Sequence, residues 1–459
     1  MKKFDAIIIG SGQAGTPLAF TLASKDQKVA FIEKEHVGGT CLNVGCTPTK
    51  AYVASARRMW EAQHGEDLGV NIPSGAKVDL KNVKSRKDTL IKSSVEGIEQ
   101  AIEKESNITF YKGMAAFCGH KKLMINKEEI GSDTIYINVG SRPKVPEAFE
   151  KIPFLSSQSI LELEKLPEHL IIIGGSYIGL EFGQMFRRFG SKVTIIEKDK
   201  TIIGGEDDDI SETILKFMEA EGVDFLLNSE CISANEKADK SIEVTLKQGK
   251  NKSLVSGSHL LLAVGRQANT DTLNLSNTGL STNKNGYIEV NEYLETEIPG
   301  IFALGECNGR GAFTHTAYND YEIIANNISE NKKRKVSDRI LTYALFVDPP
   351  LGRAGMSKKE ALKKGYDILE AYHPMDKINR AKEKGETNGF MRAIVDSKTH
   401  KILGAAVLGT GGDEVISSLL NIMYANVPYQ IFRDAVHPHP TITELIPTML
   451  ESLKEVNKQ

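Results

Sequence analysis

The strongest constraint on the fold is a pattern that the chain contains twice. Near the N-terminus, FDAIIIGSGQAG is followed by a helical stretch through Leu22 and then by KVAFIEK. About 164 residues later, HLIIIGGSYIGLEFGQMFRRFG runs into KVTIIEK. Each copy reads as a buried strand, a glycine turn, a helix, and a second strand ending in an acid, Glu33 or Glu197. Apolar runs that meet glycine punctuation before a helix are the βαβ pattern. An interval this long is no solenoid repeat, so it implies two separate nucleotide-binding modules. The expected class is α/β, with two Rossmann-like domains and, from the later strands FMRAIVD and KILGAAVLG, a C-terminal α+β portion. A chain of 459 residues has room for two to four domains.

Gly10-Ser11-Gly12-Gln13-Ala14-Gly15 is a complete GxGxxG directly after a strand. Its glycines allow a tight turn, close approach of backbone to a pyrophosphate, and close helix–strand packing. Glu33 lies 18 residues beyond Gly15, where a carboxylate can accept from ribose hydroxyls. The second copy reads Gly174-Gly175-Ser176-Tyr177-Ile178-Gly179, with serine at the middle glycine position. Glu197 would repel a 2′-phosphate and so favours NADH, although Lys198 and Lys200 leave NADPH open.

Of five cysteines, only Cys41 and Cys46 lie close together, in GGTCLNVGCTPTK. An odd, sparse set is not a disulfide framework, which leaves redox or metal chemistry for the close pair. Residues five apart on an ideal helix sit about 7.5 Å apart along the axis, too far for a disulfide. Pairing therefore needs an irregular segment, which Asn43-Val44-Gly45 can supply, with Thr47-Pro48 opening a helix. A thiol at a helix N-terminus is acidified and nucleophilic. Zinc is the rival reading, without a second ligand pair nearby, and two inert buried cysteines are the plain one. Near the other end, His437-Pro438-His439-Pro440-Thr441 precedes Glu444. A histidine held by a carboxylate is an acid–base unit, though two histidines among prolines also make a structural turn.

The rest of the chain reads more simply. Residues 94–105 are helical in pattern, NITFYKG and IYINVG are short strands, and SIEVTLK with HLLLAVGR reads as a hairpin or meander. Residues 331–337 form a charged connector, a solvated loop rather than a nucleic-acid patch. The formal net charge of -3 gives no field for nucleic acid. No window approaches the roughly 18 apolar residues of a membrane span. The N-terminus runs directly into the first strand, so a cytoplasmic location is expected.

Together these motifs resemble the class I pyridine nucleotide-disulfide oxidoreductases, the family of dihydrolipoamide dehydrogenase, glutathione reductase and mercuric reductase. The resemblance spans essentially the whole chain, and GGTCLNVGC and HPHPTITE are its most specific parts. It implies an FAD domain in two pieces (1–150 and 267–337), interrupted by an NAD(P) domain (151–266) and followed by a dimerisation domain (338–459). It implies FAD as cofactor and a homodimer as assembly. It casts Cys41 as the thiol that meets substrate and Cys46 as the thiol beside the flavin. Lys50 and Glu181 match an ion pair near the flavin, and Tyr177 matches the ring that shields the nicotinamide face. His439 and Glu444 match a dyad serving the other subunit's disulfide. Glu306 matches an acid on the ribityl chain. Gly39, Thr40, Gly140 and Gly265 fall in cofactor-binding segments.

The departures narrow the expectation. Glu306 stands where the family has Asp, Asn138-Val139-Gly140 replaces Ala-Thr-Gly, and Thr47-Pro48-Thr49 replaces isoleucine-proline-serine. TPTK, GRGAFTHTAYND and the PTML ending look like the mercuric-reductase-like and reactive-chlorine-resistance branches. Mercury reduction itself is not expected, because no cysteine follows Cys307 and no metal-binding domain precedes the first strand. The expected activity is NAD(P)H-dependent reduction of a small disulfide or soft metal ion. Dihydrolipoamide dehydrogenase of a 2-oxoacid complex is the enzymatic alternative, and a flavin-containing redox sensor is the alternative of another class.

Overall fold

The computed structural model describes the chain except for residues 74, 330–332 and 457–459, so part of the charged connector lies outside the described residues. Strands Ala6–Ile9 and Val29–Glu33 are buried along their whole length. They sit in a five-stranded parallel sheet in the order Ile301–Ala303, Ile135–Ile137, Ala6–Ile9, Val29–Glu33, Ile108–Lys112. A parallel strand covered on both faces has no polar side, which is why AIII and VAFIE read as unbroken apolar runs. Two of these strands flank the second glycine motif in sequence, so the chain leaves this sheet and later returns to it.

The second module repeats the construction. Strands Val223–Leu226, Lys192–Ile196, His169–Ile173 and His259–Leu262 form a parallel sheet in that order. Here the structure divides the two strands that were expected to share a hairpin or meander. Ile242–Gln248 pairs within a three-stranded antiparallel meander with Glu230–Glu236 and Asn251–Gly257, whereas His259–Leu262 joins the parallel sheet. The outgoing and returning connections run side by side, Ser141–Pro143 against Arg266–Ala268. Each is preceded by a glycine in the left-handed region, Gly140 at φ 61° and Gly265 at φ 106°, where a side chain would strain the turn.

The helix expected over 94–105 is the C-terminal part of a longer one, Leu80–Lys104, opened by Asp79, whose carboxylate accepts from Asn82 N. The C-terminal portion is a six-stranded antiparallel sheet that includes Phe390–Asp396 and Ile402–Leu408, packed by helices Gly412–Ala425 and Ile446–Glu451. One apolar core unites all three portions. It joins Tyr52 and Ala56, Leu180 and Phe186, and Leu345, Phe390 and Leu408, and so seats the cysteine-bearing helix against the other two units. Among the described residues, no helix is long and apolar enough to cross a membrane.

Candidate functional site

The two glycine motifs fold as near copies. Gly10 N donates to Ile32 O and Gly174 N to Ile196 O, both at 2.8 Å. Gly10 and Gly174 take φ 104° and 110°. A Cβ on Gly15 would collide with the Gly10 carbonyl, and one on Gly179 with that of Gly174. These glycines therefore let each helix press against its own turn. The acids close the copies: Glu33 Oε2 accepts from Ser11 N at 2.9 Å, and Glu197 Oε2 accepts from Gly175 N at 2.7 Å. Their second oxygens accept from Glu35 N and Asp199 N. Both carboxylates thus brace the glycine turn of their own module, a role the sequence did not predict beside the expected ribose contact.

A cavity of about 800 Å³ opens from the first motif. Gly10, Gly12, Glu33, Gly39, Thr40, Gly140 and Glu306 line it, and it continues to Cys41, Cys46, Lys50, Tyr177 and Glu181. A Cβ on Gly39 would stand 2.8 Å from the Gly12 Cα, so the loop before the cysteines lies directly on the glycine turn. This long cleft, floored by bare backbone and ending at thiols, fits a dinucleotide carrying a flavin. Gly174, Gly179 and Glu197 lie outside this cavity, in the glycine turn of the second module and at the end of its following strand, and Gly265 sits at the crossing between modules. Glu306 is held by Arg266, whose Nε lies 3.1 Å from Oε1 and also 2.6 Å from Ser141 Oγ. The longer acid is thereby tied to the connection between the two modules.

Asn138 proves more than a departure from a motif. Buried at the end of its strand, it accepts from Gly15 N at 2.9 Å through Oδ1 and donates to Leu304 O at 2.8 Å through Nδ2. One side chain thereby joins the first helix to the strand that returns from the second module. Sequence alone could not find this, since its partners lie 123 and 166 residues away.

The cysteines occupy a short helical segment and the long helix that follows it, which meet at a kink. Gly39–Val44 ends at Gly45, with φ -130° and ψ -115°, and Cys46 begins Cys46–Gln63. The irregular segment is thus a single residue. A Cβ on Gly45 would stand 2.8 Å from the Thr40 carbonyl oxygen, so glycine is needed there. The pair is present as free thiols. Cys46 is lowered to about 6, first by the hydrogen bond from the Cys41 thiol, then by the Thr314 hydroxyl and the Lys50 charge, against burial and Glu181. Cys41 is raised, first by that same hydrogen bond and then by burial. Cys46 opens onto the cavity, so its thiolate is both enclosed by protein and reachable from the cleft. Thr314 Oγ1 lies 3.1 Å from Cys46 Sγ at the start of helix Thr314–Ser329. The segment GRGAFTHTAYND that holds it is marked in the sequence only by its likeness to related branches, and its contact with Cys46, 268 residues away, is not written there.

Lys50 Nζ donates to Glu181 Oε2 at 2.7 Å, and Glu181 Oε1 accepts from Phe346 N at 3.0 Å. Glu181 is buried, and this lysine one turn beyond Cys46 supplies the positive charge paired with it; the same charge helps to lower the Cys46 thiol. Tyr177 packs edge-on against Phe313 and Tyr343, with ring centroids 6.0 and 5.5 Å away. His439 Nδ1 lies 2.9 Å from Glu444 Oε2 and 3.1 Å from Oε1. A carboxylate can only accept, so Nδ1 carries the hydrogen and Nε2 is left free to exchange a proton. This dyad does not line the cavity: His439 stands on the surface with its side chain 74% exposed. The structure therefore brings together Cys41, Cys46, Lys50, Glu181 and Tyr177, and leaves the dyad apart within one chain.

Comparison with known proteins agrees with this geometry. A family model described as pyridine nucleotide-disulphide oxidoreductase matches residues 4–320, and the dimerisation domain of the same family matches 341–450. The chain is 34% identical to a probable pyridine nucleotide-disulfide oxidoreductase, RclA, of Escherichia coli, over 99% of this chain and all of the relative. It is 30% identical to a mercuric reductase of Staphylococcus aureus, over 96% of this chain and 81% of that one. A dihydrolipoyl dehydrogenase of the same species is 31% identical, over 96% and 94%. The solved structure titled as a Cu(II) complex of the HOCl-induced flavoprotein disulfide reductase RclA superposes with a TM-score of 0.89 at 33% identity, covering 98% of this chain and 99% of that one. The chain belongs to the pyridine nucleotide-disulphide oxidoreductases, FAD-dependent enzymes that work with a pyridine nucleotide.

Proposed function

We propose that this chain is an NADH-dependent flavoprotein reductase that delivers electrons through Cys46 and Cys41 to a small disulfide or a soft metal ion, as a homodimer. The observation that carries the reading is the charge arrangement at the thiols. One cysteine is a stabilised thiolate beside Lys50 and Thr314, and its neighbour is a protonated thiol facing the same cleft. That asymmetry divides the labour, with Cys46 on the cofactor side and Cys41 left to attack substrate.

FAD, when bound along the glycine turn, supplies the two-electron link between nicotinamide and the disulfide. The chain's own residues do the rest. Lys50 and Glu181 hold charge beside Cys46, and Tyr177 screens the face on which nicotinamide must lie. Cys41 attacks the acceptor disulfide, and the mixed disulfide is resolved by Cys46. Two electrons and two protons leave the dithiol, the acceptor becomes two thiols, and Cys41–Cys46 is again oxidised. His439 of the second subunit supplies and removes the proton, which accounts for its place outside the cavity of its own chain. For a metal ion the two thiols would bind it, lose two protons and close to the disulfide, passing two electrons to one mercuric ion or one each to two cupric ions. The Cu(II) bound by the E. coli relative supports including cupric ion among candidate acceptors. Glu197 at the end of its strand supports NADH over NADPH.

A panel of glutathione disulfide, lipoamide, cupric and mercuric ions, each with NADH and with NADPH, tests the reading. Steady turnover of at least one acceptor, preferring NADH and lost in Cys41→Ser, is expected. Turnover that survives Cys41→Ser would overturn it, and no turnover with any acceptor would favour a sensor. Lipoamide as the sole good acceptor would instead assign a dihydrolipoamide dehydrogenase.

A further inference from the structure

Tyr177 is tied to the rest of the molecule in a way that its proposed role as a nicotinamide shield does not require. Its ring meets Tyr343, which belongs to the C-terminal sheet and also stacks on Phe313 with centroids 5.2 Å apart. The Tyr343 hydroxyl donates to Glu206 Oε1. Glu206 is 1% exposed and its other oxygen accepts from Arg353, whose Nε lies 3.1 Å away; Arg353 is equally buried. Tyr343 is therefore not a mobile surface ring. It is fixed at its hydroxyl by a buried ion pair, and its ring meets Tyr177 in a T-shaped contact with the ring planes 86° apart.

The loop that carries Glu206 leads back to the nucleotide. Ile203 N donates to Gly175 O at 2.9 Å, and Glu206 N donates to Ile203 O at 2.8 Å. Gly175 belongs to the phosphate-binding turn of the second module. Ile203 takes φ 41°, left-handed backbone that a β-branched residue rarely adopts. Such strain persists only where surroundings impose it, and it gathers at clamps and switches. One contiguous path thus runs from the phosphate turn through Ile203 and Glu206 to Tyr343 and then to Tyr177.

We propose that Tyr343, anchored by Glu206, is a positioning residue that latches Tyr177 in its closed place and so sets the threshold for nicotinamide entry. The inference rests on reading Tyr177 as the shield. A closed ring competes with nicotinamide, so the measured affinity falls by the fraction of molecules in which the ring is open. Removing the Tyr343 hydroxyl frees the ring to swing, raises the open fraction, and tightens nucleotide binding. A looser shield would also leave the reduced flavin, when bound, open to oxygen, which takes up two electrons and two protons to become hydrogen peroxide.

Tyr343→Phe keeps the ring and deletes its hydroxyl, removing both the bond to Glu206 and the hydroxyl's own hydrogen-bond contact with Tyr177. Calorimetric titration of the oxidised holoenzyme with NAD+ should give binding about three- to tenfold tighter than in the parent. Hydrogen exchange at residues 201–207 should quicken, and peroxide formation from NADH without acceptor should rise several-fold. Tyr177→Ala serves as the control for the shield itself. If Tyr177→Ala tightens NAD+ and raises peroxide while Tyr343→Phe changes neither, the latch is wrong and the shield stands. If Tyr177→Ala changes neither, the shield reading fails and takes the latch with it. Glu206→Gln, which keeps an acceptor for the Tyr343 hydroxyl, should lie closer to the parent than Tyr343→Phe in NAD+ affinity. Equal effects of the two would place the role in the ion pair rather than in the latch.

Discussion

Replacing Thr314 with valine removes one hydroxyl and changes little else, which makes it a clean probe of the thiolate. Thr314 Oγ1 stands 3.1 Å from Cys46 Sγ and is one of the donors that hold Cys46 at about 6. A hydrogen bond to a charged acceptor is worth about 1.5–3 kcal/mol, and 1.36 kcal/mol corresponds to one pH unit. Cys46 faces the cleft, so water replaces part of the lost bond and the lower end applies. The midpoint should therefore rise by about one unit, to about 7. The sign follows from the chemistry: Cys46 is deprotonated above its midpoint, so raising the midpoint removes thiolate at neutral pH. At pH 7 the thiolate fraction falls from about nine-tenths to about half. Alkylation of the reduced enzyme as a function of pH, resolved by mass spectrometry of the Cys46 peptide, reads that midpoint directly, since rate follows thiolate fraction. A midpoint unchanged from the parent would refute the assignment of Thr314 as a donor.

Other perturbations have equally definite outcomes. Asn138→Ala strands the Gly15 N–H and the Leu304 carbonyl in the interior, so it should cost about 2–4 kcal/mol in denaturant unfolding and reduce the FAD bound at purification. Gly179→Ala forces the second helix off its turn, so NAD+ affinity measured by calorimetry should collapse while flavin content stays at the parent level. Lys50→Met leaves the buried Glu181 without its cation; with Lys50 itself partly exposed, a loss of about 1–3 kcal/mol is expected, along with slower reduction by NADH in stopped flow. His439→Gln should slow oxidation of the reduced enzyme by acceptor about 10²–10⁴-fold while reduction by NADH is spared, which rapid mixing of each half-reaction separates.

What the sequence revealed depended on how local the signal was. The glycine turns, the cysteine pair and the His439–Glu444 unit each lie within a few residues, and short-range pattern suffices for them. The duplicated βαβ layout was legible because buried parallel strands are unbroken apolar runs. The same cue misled at HLLLAVGR, where a continuous run was grouped with its alternating neighbour SIEVTLK. The burial of the two differs as their sheets demand: Ile242, Val244 and Leu246 point inward in turn, whereas Leu260, Leu261 and Leu262 are all enclosed. The N-terminal half of Leu80–Lys104 escapes the pattern because its inward face is only partly apolar: beside Leu80 it buries Lys87, which pairs with Glu162. Asn138, Thr314 and Tyr343 act across 123 to 268 residues of chain, a separation at which one sequence carries no contact information. His439 marks the opposite case. Its motif was plain, yet its partner thiols are not brought to it within its own chain.

The central claim is that electrons from nicotinamide reach the acceptor through Cys46 and Cys41. Anaerobic titration of the holoenzyme with NADH tests it most directly. The account predicts a long-wavelength absorbance, arising when the Cys46 thiolate lies against the oxidised flavin, that grows as the first two electrons enter and is absent in Cys46→Ser. The same absorbance persisting unchanged in Cys46→Ser would contradict it.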